Sequence, residues 1–430
     1  MQVAAKLKRW AQVVAAVALV SLVAACGGGG SGGNSSSSSS NAANGTLPAS
    51  PVAQPVAATA VNTVPITVAQ GVANVINIPT VTVTVCPPGS VTNCQQIPNI
   101  QVDTGSYGLR IVSGALNSAL LLQGGLPVST NTAGSQMAEC TNFADGYSWG
   151  TVRTATIVIG GETANSLPIQ VLGDLPSGSV PTGCASGAEE NTASALGANG
   201  ILGIGVAPFD CGATCADAST AAQFSNYYAC NSNASSCTPT QIAEASQVTN
   251  PVSRFPVDNN GVIVQMAPVS NSGSASATGT LVFGIGTASN NALAAAHTFT
   301  TDAYGDLNNS TFNGAKIAAF FDSGSNAYFF NDSTLPLCGS SFSGFYCPST
   351  GQTRTVTVVG TNGTAVAANL GILSAATLFG NGTAYAFNDL AGQTGVSGGF
   401  DIGLPFFYGR YMYFGIDRSA TGGQSPYVGY

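Results

Sequence analysis

Short runs of alternating apolar and polar residues dominate the chain. Thr80-Val-Thr-Val-Thr-Val85, Thr154-Ala-Thr-Ile-Val-Ile159, Gly261-Val-Ile-Val-Gln-Met266, Thr280-Leu-Val-Phe283 and Thr353-Arg-Thr-Val-Thr-Val-Val359 are rich in β-branched residues and separated by turn formers. Alternation of this kind places one face of an extended segment on a core, so these runs predict strands. Helical stretches are few, with 113–123 and 291–296 as the candidates. The predicted fold class is mostly β. The first 25 residues depart from this pattern. Lys6, Lys8 and Arg9 precede an apolar stretch from Trp10 to Ala25, the arrangement of an export signal. Residues 26–58 are dominated by Gly, Ser, Asn, Ala and Pro, with a serine run over 35–40, and predict a flexible linker.

Composition narrows the possibilities. The chain has 430 residues, of which 44% are apolar and only 7% charged, and its 54 Gly and 21 Pro favour turns over long helices. Such apolar content excludes disorder throughout. The length suffices for two cores, expected at 59–265 and 266–430. Three of the ten basic residues lie in the leader, leaving seven against 18 acidic ones, so there is no basic patch for nucleic acid. With His297 as the single histidine, a catalytic zinc site built on several histidines is excluded, and no metal or other cofactor is expected.

Export and an even cysteine count point to disulfides. Setting Cys26 aside, four pairs are close in sequence: Cys86 with Cys94, Cys211 with Cys215, Cys230 with Cys237, and Cys338 with Cys347. That leaves Cys140 with Cys184 by elimination. Spacing does not prove this connectivity. A metal reading of Cys211-Gly-Ala-Thr-Cys215 fits the compartment and the lack of histidines less well. Gly200-Ile-Leu-Gly-Ile-Gly205 lacks the strand–helix context of a nucleotide loop. Gly395-Val-Ser397-Gly-Gly399 has nucleophile-elbow spacing, but no histidine follows it. His297, Asp322 and Ser397 stand in chymotrypsin-type order, although Asp322 has a better explanation.

That explanation is a repeated motif. Asn99-Ile-Gln-Val-Asp103-Thr104-Gly105-Ser106 is an apolar strand running into Asp-Thr-Gly-Ser, and Ile317-Ala-Ala-Phe-Phe-Asp322-Ser323-Gly324-Ser325 repeats the plan. A chain of this composition should contain about 0.07 such patterns by chance. Here the sequence resembles the pepsin-like aspartic peptidases, and within them a group of bacterial lipoproteins carrying the same signature pair. The resemblance continues through Asn199-Gly-Ile-Leu-Gly-Ile-Gly205, a flap-like Phe143-Ala-Asp-Gly146-Tyr147-Ser-Trp149-Gly150, Gly279-Thr-Leu-Val-Phe-Gly284, Gly399-Phe-Asp-Ile-Gly403 and Tyr411-Met-Tyr-Phe-Gly-Ile-Asp417. It implies a bilobal β fold with a cleft between pseudo-symmetric lobes. Leu22-Val-Ala-Ala-Cys26 resembles a bacterial lipobox, which implies acylation of Cys26, and Gly27 resembles the outer-membrane sorting pattern.

The resemblance assigns Asp103 and Asp322 as a catalytic pair acting on a peptide or protein held in the cleft of a monomer. Two close carboxylates share one proton, so one member can activate water while the other polarises the carbonyl. Gly105 and Gly324 let the backbone turn beside them, Thr104 and Ser323 tie the loops, and Ser106 and Ser325 donate to the outer oxygens. Three departures stand out. Phe143 takes the place of the usual flap tyrosine and Arg110 that of its tryptophan support. Asp401 puts a charge in Asp401-Ile402-Gly403, where a strand should pack. No basic pro-segment precedes residue 75. Two readings follow: an acid-tolerant endopeptidase, or a pepsin-fold protein that binds peptides without turnover. Trp149 is expected near the flap turn, over the cleft.

Overall fold

The computed structural model describes residues 47–122 and 124–430. The first lobe contains β1 (Thr63–Val68), β2 (Thr80–Cys86), β3 (Gln95–Asp103), β4 (Tyr107–Val112), β5 (Gln136–Asn142), β6 (Gly146–Ile159), β7 (Glu162–Leu172) and β8 (Gly200–Ile204). β9 (Gly261–Met266) and β10 (Ala277–Phe283) cross to the second lobe, built on β11 (Leu307–Phe312), β12 (Ala315–Asp322), β13 (Tyr328–Phe329), β14 (Gln352–Val359), β15 (Ala365–Ile372) and β16 (Gly399–Gly403). β17 (Tyr411–Gly415) and β18 (Tyr427–Gly429) return to the middle. There they form an antiparallel platform in which β1, β10, β9, β17 and β18 pair in turn. The platform's inward residues, among them Ile66, Val264 and Phe414, are buried in a core that continues into both lobes.

Each lobe repeats one device. In the first, β8 slides between β3 and β4, parallel to β3 with Asp103 opposite Gly203 and antiparallel to β4. In the second, β16 slides between β12 and β13, with Asp322 opposite Gly403. A Cβ on Gly203 would stand 2.6 Å from the Tyr107 nitrogen, and one on Gly403 2.7 Å from the Ser325 carbonyl. Both strands need glycine where they pass beneath the aspartate loops. The lobes are therefore pseudo-symmetric, and the fold is mostly β and bilobal, as the pepsin-like resemblance implies.

Several expectations change. β9 straddles the expected 265/266 boundary and belongs wholly to the platform. Residues 291–296 form no helix, because the buried Asn291 side chain donates to Phe283 O and accepts from the Thr287 and Ala288 amides of its own loop. Within 113–123, the described residues form a 3-10 turn (Ser113–Ala115) and one helical turn (Ser118–Leu121) capped by Asn117. The linker's last residues are docked. Ala53 N donates to Gly409 O, Val56 N to Gln265 Oε1, and the Thr280 hydroxyl to Val56 O. Cys26 and residues 27–46 lie outside the described residues. Among those described, no helix is long and apolar enough to cross a membrane.

The five expected disulfides form. Cys86 is bonded to Cys94, Cys140 to Cys184, Cys211 to Cys215, Cys230 to Cys237, and Cys338 to Cys347. Cys94 and Cys237 are the half-buried ends of local clasps whose other ends are buried, and Cys338 and Cys347 are both half-buried. Cys237 faces Cys230 across a hairpin, and Cys338 N donates to Phe345 O just before Cys347. None of the ten lines the cleft, so all of them are structural.

Candidate active site

β3 and β12 are apolar strands that end at the cleft floor, where each delivers an aspartate. The two loops then hold one another. Ser323 N donates to Thr104 Oγ1 at 2.9 Å and Thr104 N to Ser323 Oγ at 3.2 Å. Each hydroxyl also crosses to the opposite strand, Thr104 to Phe321 O at 3.1 Å and Ser323 to Val102 O at 2.7 Å. Gln101 adds a further tie to Gly324 O at 2.9 Å. This reciprocal set fixes the spacing of the carboxylates independently of any ligand.

Each carboxylate is also held by its own loop. Gly105 N donates to Asp103 Oδ1 at 2.8 Å and Gly324 N to Asp322 Oδ1 at 2.7 Å. A side chain on Gly105 would collide with the Asp322 carboxylate, and a Cβ on Gly324 would stand 2.6 Å from Asp103 Oδ1. The Ser106 hydroxyl donates to Asp103 Oδ2. The Ser325 hydroxyl lies 3.2 Å from Asp322 Oδ2 but 2.5 Å from Asp401 Oδ2. Asp103 and Asp322 are nearly buried, at 8% and 6% exposure, yet both open onto the cleft. Burial first, then the charges of Asp103 and Asp401, push the Asp322 carboxyl well above the usual range. Burial and its acidic neighbours thus favour the protonated form of Asp322.

The cleft encloses about 530 Å³ and takes residues from both lobes, with Ile78, Phe143, Phe320, Phe329 and Phe400 supplying apolar wall. Its acidic lining also includes Asp145, Glu190, Asp306 and Asp401, and no Lys, Arg or His among the described residues lines it. Asp401 is not packed into a core as its sequence position suggested. Along β16, Ile402 is buried in the core, whereas Asp401 faces the cleft, paired with Phe320 and Phe329 on the flanking strands. His297 and Ser397 are exposed, neither lines the cleft, and no triad forms.

The flap is the β5–β6 hairpin, whose turn closes with Phe143 N donating to Gly146 O at 2.7 Å. Phe143, Ala144 and Asp145 face the cleft. Gly146 and Tyr147 pair with the short strand Ala188–Glu189, which braces the tip. Glu190, pushed up to about 8 by burial and then by Asp145, sits against that brace. Trp149 corrects an expectation: it lies opposite Cys140, fully buried, edge-on to Tyr228, with its indole N–H donating to Ser179. Strand alternation turns it away from the cleft.

Arg110 centres a buried charged network between β4 and β5. Its guanidinium, fully buried, donates to Glu139 at 2.7 Å, Asp210 at 2.9 Å, Thr141 at 2.9 Å and Tyr107 O at 2.7 Å. β4, the strand that leaves the Asp103 loop, is thereby pinned to β5 of the flap. Two carboxyls face one guanidinium, and burial with the Glu139 charge pushes the Asp210 carboxyl well above the usual range.

The chain belongs to the family described as "Protein of unknown function (DUF3443)", which matches residues 58–430. No curated protein matches it. Among solved structures it is similar to an aspartic proteinase from Irpex lacteus, with 16% identity and a TM-score of 0.43, covering 85% of this chain and 96% of that one.

Proposed function

We propose that the protein is an aspartic endopeptidase in which Asp103 and Asp322 activate a water held between them. The observation that carries this reading is the cross-bonded pair of loops, in which Thr104 and Ser323 hold two carboxylates over one cleft. The ionised member takes the proton of the attacking water while the protonated member donates to the carbonyl of the scissile bond. The proposed setting is an exported monomer, held by acyl chains on Cys26 to the outer membrane of a Gram-negative bacterium.

A second reading is favoured by Phe143. Without the tyrosine hydroxyl, the flap meets its ligand at this position through an apolar ring, which suits a protein that holds peptides without cutting them. One experiment separates the two. A mixed peptide pool is incubated from acid to neutral pH, with and without pepstatin, and new N-termini are counted. Pepstatin-sensitive cleavage is expected, lowered about 10²–10⁴-fold in Asp103→Asn and in Asp322→Asn. Pepstatin binding without cleavage selects the binding protein. Cleavage that persists in both variants removes the two-aspartate mechanism.

A further inference from the structure

The C-lobe half of the site differs from the N-lobe half in one respect. Ser106 gives its hydroxyl proton to Asp103, whereas Ser325 stands between two carboxylates and lies nearer to Asp401. A hydroxyl has a single proton to donate. When it goes to Asp401, the outer oxygen of Asp322 loses the donor that would stabilise its anion. Strand pairing fixes this arrangement: Asp401 lies opposite Phe320 on β12, parallel and two residues before Asp322, and opposite Phe329 on the antiparallel β13. The reach from Asp401 to Ser325 is thus set by backbone register.

We propose that Asp401 is a positioning residue of the aspartate pair: it draws the Ser325 hydroxyl away from Asp322 and sets a fixed negative charge beside it, so that the pair keeps its shared proton to a higher pH than two carboxylates would alone. Both effects have the same sign, because each disfavours the doubly ionised pair. The surrounding charges do not reverse it. Asp103 faces Asp322 across the floor, Asp306 lines the cleft at the start of β11, and Asp145 and Glu190 lie on the flap side. On the strands that flank Asp401, the single cation is Lys316, exposed at the far end of β12. Arg410, beyond the turn that follows β16, is held over the Phe406 ring and bonded to Phe406 O, outside the cleft lining.

The kinetic consequence rests on the peptidase reading, while the protonation itself does not, and the test uses that difference. Infrared difference spectra follow the buried protonated carboxyl across pH in the whole protein, with the band assigned by its loss in Asp322→Asn. In Asp401→Asn the amide oxygen still accepts from Ser325 but the charge is gone, and the titration midpoint should fall by about one to two pH units. In Asp401→Ile the Ser325 hydroxyl also returns to Asp322, and the midpoint should fall further. The alkaline limb of kcat/KM for peptide cleavage should move by the same amounts. A midpoint that stays within about 0.3 unit of wild type in Asp401→Asn overturns the proposal. That variant decides alone if Asp401→Ile does not fold. A shifted midpoint in a protein that cuts no peptide leaves Asp401 its role and removes the peptidase instead.

Discussion

Asp389 sits in the second lobe behind Gly371, 5% exposed, and its Oδ2 has no hydrogen-bond partner among the described residues. Burial pushes its carboxyl up to about 7, and burial with Asp145 pushes Glu190 up to about 8. In an unfolded chain both would titrate near about 4. The fold therefore favours their protonated forms. This stabilisation is complete below about pH 4 and is lost as pH rises through 7 and 8. Asp332 has the opposite sign. Although burial raises its carboxyl, Thr334 and Arg354 hold it below the usual range, so its contribution is lost only as pH falls through that lowered value. The thermal midpoint should consequently be higher at pH 5 than at pH 8, with a gentler decline in Asp389→Asn. A midpoint that rises over this interval, or an Asp389→Asn slope equal to wild type, would remove Asp389 as a cause. The site aspartates were legible because motif and strand coincide at both positions. Asp401 showed only as an irregularity, since its meaning depends on which way β16 faces. Trp149 was misplaced for a related reason: proximity to the turn was readable, but the side of the hairpin on which the ring lies was not.

At the scale of elements, the attachments of the flap hairpin include the Arg110 network at its base, the Cys140–Cys184 disulfide and the strand Ala188–Glu189 at its tip. Removing the arginine leaves Glu139 and Asp210 as buried carboxyls without their counter-charge. Arg110→Met should destabilise the protein by about 3–5 kcal/mol in denaturant unfolding, because an uncompensated buried charge costs more than the pair returned. A loss below about 1 kcal/mol would show that the two carboxyls take up protons in its absence instead of staying charged. Strands were the most legible elements, since alternation encodes both existence and inward face. The helix at 291–296 failed because the Asn291 side chain satisfies loop backbone that a helix would have left unpaired. Tertiary hydrogen bonds there outweigh local propensity.

At the scale of the molecule, the two lobes were readable from the repeat of one motif, while the platform between them was not. A run such as Gly261–Met266 announces a strand without naming its neighbours, and those neighbours are β10 and β17. β1 finds its partner more than 200 residues away, as the Asn62–Phe283 bond at a separation of 221 illustrates. The platform thus joins chain from the beginning, the middle and the end of the described sequence. This has a consequence for assembly in time. Closing such long loops comes late and slowly, because the entropy of closure must be met before the contacts exist. Until β17 and β18 have emerged, Val262 and Val264 present an open strand edge, a hazard for a chain still being made. A chain truncated after Arg410 should therefore remain sensitive to thermolysin and lack a cooperative thermal transition. A truncated chain as resistant as the full one would mean that the lobes mature without their shared platform. Otherwise the last twenty residues act as the final latch, and a nascent molecule remains open to the cell's quality-control proteases until they arrive.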